Sequence, residues 1–166
     1  MVILISTLAT FCFSRAESTM RAQWEKALGT QPHDAAFHAL LGNAFLRAGS
    51  QKVAIAEYER AAQISAQDPL GRNNLAWLLA TSSDASIRDG NRAIELAKEA
   101  VRLSRGKDPN YLRTLAAAFA EAGDFAEAKE TARQALQAAE RRSDSTLASA
   151  LRDEIALYEL GLPYHK

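Results

Sequence analysis

The sequence has few of the residues that common catalytic and nucleic-acid-binding sites require. It contains one cysteine, Cys12, which excludes an internal disulfide framework and a zinc site made of cysteines. Its 20 basic and 20 acidic residues cancel, and its longest run of basic residues is Arg141-Arg142. Because nucleic acids are bound through a basic face, we expect no nucleic-acid partner.

Motifs for enzymatic chemistry are also missing. His33 and His38 are five residues apart, so they do not share a helical face as zinc ligands at positions i and i+4 do. His165, the third histidine, is far from both in the sequence. No glycine-rich phosphate loop, nucleophile elbow or HExxH motif occurs. We therefore expect a protein without catalytic activity, metal or cofactor.

The composition that remains is typical of closely packed helices. Of the 166 residues, 48% are hydrophobic but only 7% are aromatic. Much of the apolar fraction is alanine, which has the highest helix propensity and lets helix backbones approach. The length corresponds to one domain or one compact array of repeats.

A pair of helical patterns occurs three times. In each copy an Asp is followed seven residues later by Leu and a small residue, then by a bulky residue, and then by a second helix marked by alanines. The first two copies are 34 residues apart, a period typical of helix-pair solenoids, whose units bury their apolar faces against one another. The copies are Asp34/Leu41-Gly42/Phe45 with Ala54/Tyr58/Ala61, Asp68/Leu75-Ala76/Leu79 with Ala93/Ala97/Ala100, and Asp108/Leu115-Ala116/Phe119 with Ala128/Ala132/Ala135.

Capping residues set the expected helix bounds. Asp34 and the dipeptides Asp68-Pro69 and Asp108-Pro109 are typical helix starts. The stretch 81–90 is longer than the matching turns at Gly49 and Gly123, and its composition indicates a loop. The expected helices are 35–48, 51–64, a helix from 69 to this loop, 91–103, 109–122, 125–140 and 145–160. We expect Gly42, Ala76 and Ala116 to lie where paired helices approach most closely.

These patterns divide the sequence into an apolar segment (1–16), a repeat array (17–142) and a C-terminal capping helix with a tail (143–166). The array consists of a half repeat (17–32), in which Trp24 takes the place of Tyr58, and of repeats 35–68, 69–108 and 109–142. In the last helix the apolar face has Leu147, Leu151, Ile155 and Tyr158, and the polar face has Arg152, Asp153 and Glu159. A polar outer face is what the end of a solenoid requires.

Segment 1–16 allows three interpretations. Residues 2–13 are almost all apolar or small, and Ser14-Arg15-Ala16 is similar to a signal-peptidase site. No basic residue precedes this run, and its twelve residues are fewer than the roughly 20 that span a bilayer. The segment is a signal peptide, the end of a membrane span or a helix of another repeat. We expect a membrane-related origin and hence a membrane-associated or exported protein, with a cytoplasmic location as the alternative.

The repeated residues resemble the tetratricopeptide repeat (TPR) family, and the match covers residues 18–142. The resemblance implies an all-α, right-handed α-solenoid of helix pairs that is closed by the C-terminal capping helix. It also implies that the first helix of each pair lines a concave groove, in which a protein or a peptide binds.

The second half resembles more narrowly the C-terminal module of large bacterial multi-TPR proteins, some of which have a membrane portion similar to protein glycosyltransferases. This resemblance implies either the repeat part of such a protein or a relative without the membrane portion. No glycosyltransferase residues are present, so no activity is implied. The stretches that carry the resemblance are NNLAWLLATSSDASIRDGNRAIELAKEAV, DPNYLRTLAAAFAEAGDFAEAKETARQAL and LASALRDEIALYELGLPYHK.

Polar and aromatic residues of the first helices are the candidate groove residues. An Asn amide both donates and accepts, so it can bind a peptide backbone without reading its sequence. The resemblance implies this role for Asn43 and Asn74, and the alternative is that the asparagines only solvate or cap their helices. Trp77 is either an aromatic anchor in the groove or packs under the loop against Ile87. The candidates are Asn43, Arg47, Asn73, Asn74, Trp77, Asn110 and Arg113.

The expected function is therefore a non-catalytic scaffold that binds a protein or peptide in the groove. In the carboxylate-clamp TPR subfamily, basic residues occupy the positions of Ala39, Asn110 and Thr114, so recognition of an acidic C-terminus is not implied. The alternative function is an extracytoplasmic accessory domain that docks substrates of a membrane glycosyltransferase-like protein.

Overall fold

The computed structural model of the chain describes residues 18, 19, 22, 23, 26, 34–106 and 108–166. Seven α helices lie entirely within these residues, which contain no strand. The predicted all-α class is therefore confirmed, while segment 1–16 and Trp24 lie outside the described residues. The helices are α1 (Ala35–Arg47), α2 (Gln51–Ile64), α3 (Pro69–Thr81), α4 (Gly90–Leu103), α5 (Pro109–Glu121), α6 (Phe125–Arg141) and α7 (Ser145–Glu159).

Aspartate caps begin the first helix of each pair, as the sequence predicts. Asp34, Asp68 and Asp108 have extended backbones, and each carboxylate accepts from the backbone N–H two residues ahead at 2.9 Å. This satisfies an amide that has no partner within the helix. Gly49 and Gly123 end α1 and α5 with φ of 80° and 84°, in the left-handed region that glycine adopts without strain. Local chemistry thus fixes where these helices start and stop.

Helices that follow one another pack together, and so do the first helices of successive pairs. The backbones of α1 and α3, of α3 and α5, and of α5 and α7 approach one another, whereas in the described part of the chain those of α2 and α4, and of α4 and α6, do not. Helices α2 and α4 are joined by long exposed side chains, through the ion pair of Arg92 with Glu59 at 2.6 Å. Helices α1, α3, α5 and α7 therefore lie nearer to one another than the second helices do. We call the surface that α1, α3 and α5 share the first-helix face.

Small residues allow this packing, and the three expected positions are all buried. Gly42, Ala76 and Ala116 belong to the buried class, with the two alanines at 0% exposure. A Cβ atom on Gly42 would lie 2.5 Å from Cε1 of Tyr58, so the aromatic ring occupies the volume next to the glycine. In the other pairs Ala76 clusters with Ala97 and Ala116 with Ala132. At this position of the repeat, glycine is thus needed only in the pair whose partner residue is large.

We expect Gly42→Ala to destabilise the fold by about 1–3 kcal/mol, because the added methyl group overpacks a core that has no room to relax. Tyr58 is 1% exposed and its hydroxyl is hydrogen-bonded, so its ring cannot move away freely. The measurement is the free energy of unfolding by denaturant.

The control is the same change in a Tyr58→Ala background, which imitates the pairs that face alanine. There Gly42→Ala is expected to be neutral or stabilising, since alanine is the better helix former by about 1 kcal/mol. Equal destabilisation in both backgrounds would show that the ring is not what excludes a side chain at position 42.

Candidate functional site

The candidate residues are all on α1, α3 and α5. Because α3 packs against both α1 and α5, it brings side chains of the three helices together. Two groups result, one between α1 and α3 and one between α3 and α5. Arg47 and Asn110 belong to neither group.

The first group is a hydrogen-bonded set around Asn43. The Tyr58 hydroxyl donates to Oδ1 of Asn43 at 2.7 Å, and Nδ2 of Asn74 donates to the same oxygen at 3.4 Å. Burial raises the pKa of Tyr58 to about 12, although nearby Arg47 acts in the opposite direction. The hydroxyl therefore stays protonated and keeps donating at neutral pH. Asn43 therefore stabilises the packing of α1 with α2 and α3, and its side chain is also half-exposed to solvent.

Asn73 lies next to this group on α3 and is 9% exposed. Its Oδ1 is buried and has no hydrogen-bond partner in the part of the chain that the structure describes. An amide oxygen in this position is costly, by about 1–3 kcal/mol, until a donor reaches it. Asn73 is thus buried rather than displayed in an open groove.

The second group is built on an ion pair between Arg113 and Glu154. Nε and Nη2 of Arg113 donate to the Glu154 carboxylate at 2.9 and 2.5 Å, and the two side chains are 23% and 2% exposed. A two-pronged guanidinium–carboxylate contact is strong and directional. Helix α7 is thereby tied to α5, and Arg113 is not available as a clamp for a ligand carboxylate.

Trp77 stacks on the same guanidinium. The Arg113 Cζ atom lies 4.6 Å from the centre of the indole, and the Tyr164 ring lies 6.1 Å from it. Nζ of Lys166 is a third neighbour at 5.3 Å. The rest of the half-buried indole packs against the apolar core. Residues 161–166, which we call the tail, therefore contact the ring that the sequence offers as a groove anchor.

Two further contacts hold the tail. The backbone N–H of Lys166 donates to the carbonyl oxygen of Thr81 at 2.7 Å, and Nε2 of His165 lies 2.6 Å from Oε2 of Glu121. The other oxygen of that carboxylate accepts from Nε of Arg88 at 2.8 Å. Arg88 belongs to the loop between α3 and α4, so this loop helps to position the acid that the tail meets.

Electrostatics around this second group reflect burial. Burial raises the pKa of Tyr158 well above its ordinary value, and the negative charge of Glu154 raises it further, while Arg113 lowers it. The Tyr158 hydroxyl has no hydrogen-bond partner within the described residues. Tyr158 and Glu154 are 1% and 2% exposed, so water screens the ion pair weakly on the side of α7.

Arg47 and Asn110 are exposed at opposite ends of their helices. Nδ2 of Asn110 donates to the Asp108 carboxylate at 3.3 Å, and its backbone N–H is capped by the same group. The capping interpretation therefore describes Asn110, while Arg47 lies near enough to Tyr58 to affect its pKa.

Sequence reasoning missed the acids that hold these groups. Glu154 is three residues from Leu151 and four from Tyr158, so it lies in the middle of the apolar face of α7. An acidic residue in such a face is rarely buried without a partner. Its position could therefore have indicated a buried ion pair. The same holds for Glu57, which is 3% exposed and meets His38 at 2.7 Å. Nothing local indicates the contacts of Glu121 and Tyr164.

No protein-family model and no curated protein matches the chain at a significant level. In the described ranges, no helix is long and apolar enough to cross a membrane. The described residues also contain no cluster of three or more His, Cys, Asp or Glu side chains that could hold a metal ion.

Arg113→Ala is expected to destabilise the protein by about 3–5 kcal/mol, because it leaves the carboxylate of Glu154 buried without a counter-charge. The matched control is Arg133→Ala. Arg133 also pairs with an acid of α7, Glu159, but both side chains are more than half exposed, so the loss is at most about 1 kcal/mol. Thermal and denaturant unfolding measure both variants, and equal losses would contradict the role assigned to burial.

Proposed function

We propose that the protein is a non-catalytic scaffold that binds a protein or peptide on the first-helix face. The proposal includes a right-handed TPR-type solenoid, in which that face is the concave groove. The observation that carries it is the hydrogen-bonded pair Asn43 and Asn74, which joins two successive first helices on one surface.

The packing pattern supports a curved array. The backbones of first helices approach one another from pair to pair, while in the described part of the chain those of second helices do not. A stack whose inner elements are closer than its outer ones curves toward the inner side, as solenoids with concave binding surfaces do. The apolar seam, the 34-residue spacing and the buried small residues agree with the same organisation.

The chemistry of the surface supports a peptide ligand. Both lone-pair directions of Asn43 Oδ1 are used within the fold, which leaves the Nδ2 group of Asn43 and the Oδ1 atom of Asn74 to face a ligand. One donor and one acceptor on neighbouring helices match the alternating N–H and C=O groups of an extended backbone. Leu40, 42% exposed one turn before Asn43 on α1, adds an apolar contact beside them.

Asn74→Ala tests the proposal with little risk to the fold, since its single bond to Asn43 is long at 3.4 Å. Loss of one interfacial hydrogen bond typically costs about 0.5–1.5 kcal/mol, which is about a 2- to 13-fold weaker Kd. The partner is isolated by pull-down with the full chain and identified by mass spectrometry, and titration calorimetry then measures its affinity for each variant.

The control is Arg141→Ala, an exposed residue at the end of α6, which is expected to leave affinity unchanged. Asn43→Ala is a less clean variant, because it also removes the acceptor of the buried Tyr58 hydroxyl. A partner that binds the Asn74 variant as tightly as the unchanged chain would move the site away from the first-helix face.

We propose a membrane-associated or exported location on the strength of segment 1–16, whose apolar residues precede the repeats. This also keeps the alternative function, an extracytoplasmic accessory domain of a glycosyltransferase-like membrane protein. A reporter enzyme that is active only outside the cytoplasm, fused after Lys166 in a bacterial host, is expected to be active. Deletion of residues 2–16 should abolish that activity, and activity that survives the deletion would contradict the assignment.

A further inference from the structure

The tail contacts the first-helix face with both side-chain and backbone groups, as a bound peptide does. Gly161 has φ of 71°, and after this turn the chain leaves α7 and contacts α3 and α5 with three consecutive residues. Tyr164 meets the Trp77 ring, His165 meets Glu121, and Lys166 bonds the Thr81 carbonyl. A backbone bond, an aromatic contact and an ionisable pair are the elements of peptide recognition.

We call the Trp77 ring, the Glu121 carboxylate and the Thr81 carbonyl the three subsites. Each favours a particular chemical group. The carbonyl of Thr81 is at the C-terminal end of α3, where helix carbonyls lack partners and the helix dipole favours a cation. It accepts a backbone N–H, and the ammonium of the same residue lies 5.3 Å from the Trp77 ring, a cation–π distance. Arg88 holds the carboxylate of Glu121, and this carboxylate faces His165, the residue before Lys166.

The subsites are also held in place by residues outside the tail. Arg113 is locked by Glu154 and stacks on the indole, which keeps Trp77 in place. Arg88 donates to the Ser82 carbonyl at 2.8 Å as well as to Glu121, so the carboxylate is oriented by the loop. A site whose parts are held by other residues loses little entropy when it binds a ligand.

From this geometry we infer that the tail is an intramolecular occupant of a peptide site, and that the site's partner is an extended peptide with an aromatic residue followed by two basic residues. The inference rests on the proposed function and specifies its ligand. The partner displaces the tail from Trp77, Glu121 and Thr81 and continues past Asn74 and Asn43.

Displacement is feasible because the tail uses only part of the face. The tail's polar contacts lie at the C-terminal ends of α3 and α5, and its Tyr164 ring packs against Trp77 and the apolar cluster of α5, α6 and α7. Asn74 lies nearer the middle of α3, and Asn43 lies on α1, which takes no part in these contacts. A short tether gives the tail an effective concentration in the millimolar range. A longer peptide that also engages the asparagines has contacts that the tail lacks, and these offset that advantage.

The test uses the full chain with the tail loosened by Tyr164→Ser and His165→Ser. The probe is a fluorescein-labelled, C-terminally amidated peptide of the tail sequence Gly-Leu-Pro-Tyr-His-Lys, and the control peptide is Gly-Leu-Pro-Ser-Ser-Lys. If the tail occupies the site most of the time, the loosened chain binds the probe about tenfold more tightly than the unchanged chain does. The control peptide binds neither chain.

A second loosened variant, His165→Ala with Lys166→Ala, keeps the Tyr164 ring and serves if the first variant unfolds. In either background Glu121→Gln is expected to weaken probe binding about tenfold, because it removes the charge that faces the basic residue. Fluorescence anisotropy gives the affinities, and circular dichroism checks that each variant is folded.

Equal affinity of the probe for the loosened and unchanged chains, or equal binding of the control peptide, would overturn the inference. A tail that belongs to a second copy would also overturn it, and sedimentation would then show a dimer of the unchanged chain that dissociates when the tail is loosened. The two proposals can fail separately. If a partner's binding depends on Asn74 but the tail peptide does not bind, the proposed function holds and the inferred ligand is wrong.

Discussion

The close approach of each first helix to its neighbours is the constraint on which the rest of the structure depends. Gly42 admits the Tyr58 ring, and Gly71 lies against the backbone of α2, where an added Cβ would be 2.9 Å from the Ala62 nitrogen. Contacts this short leave no room for larger side chains, and interiors packed so closely do not relax freely. The same closeness places Asn43 beside Asn74 and Trp77 beside Arg113. The polar surface is thus a consequence of the small residues beneath it.

The buried pairs show how polar groups are accommodated inside this stack. His38 with Glu57, and Arg113 with Glu154, each join two helices through short contacts at low exposure. Buried polar groups of this kind stabilise only when their partners are in place, so they favour one arrangement of the helices over others. Apolar contacts among alanines are less selective, because one alanine face fits another in several registers. The two buried polar pairs therefore select one alignment among those that the alanines allow.

Features encoded within a few residues could be predicted, and features made by distant residues could not. The aspartate caps and the repeat period predict the ends of the helices to within one residue of those observed. This works because capping and periodicity act over a turn or two. The family resemblance could select Asn43 and Asn74 as groove candidates, but they are 31 positions apart and do not occupy equivalent places in the 34-residue period, so their mutual hydrogen bond was not predicted. The Arg113–Glu154 pair spans 41 positions, and the tail contacts depend on how α7 is placed, so no local pattern reveals them. Trp77 is the clearest case, because its neighbours Tyr164 and Lys166 lie outside the repeats.

The loop between α3 and α4 connects the irregular part of the sequence with the candidate site. Ser82 donates to Gln51 at 2.6 Å and also accepts from the N–H of Asp84, which fixes the start of the loop on the preceding pair. Arg88 then reaches Glu121 on the following pair. The loop between α3 and α4 is therefore more than a longer turn, because it contacts both the preceding and the following helix pair. Arg88 orients the Glu121 carboxylate that meets His165. The loop thus completes a subsite at one end of the first-helix face, and the other polar groups of that face belong to the helix pairs.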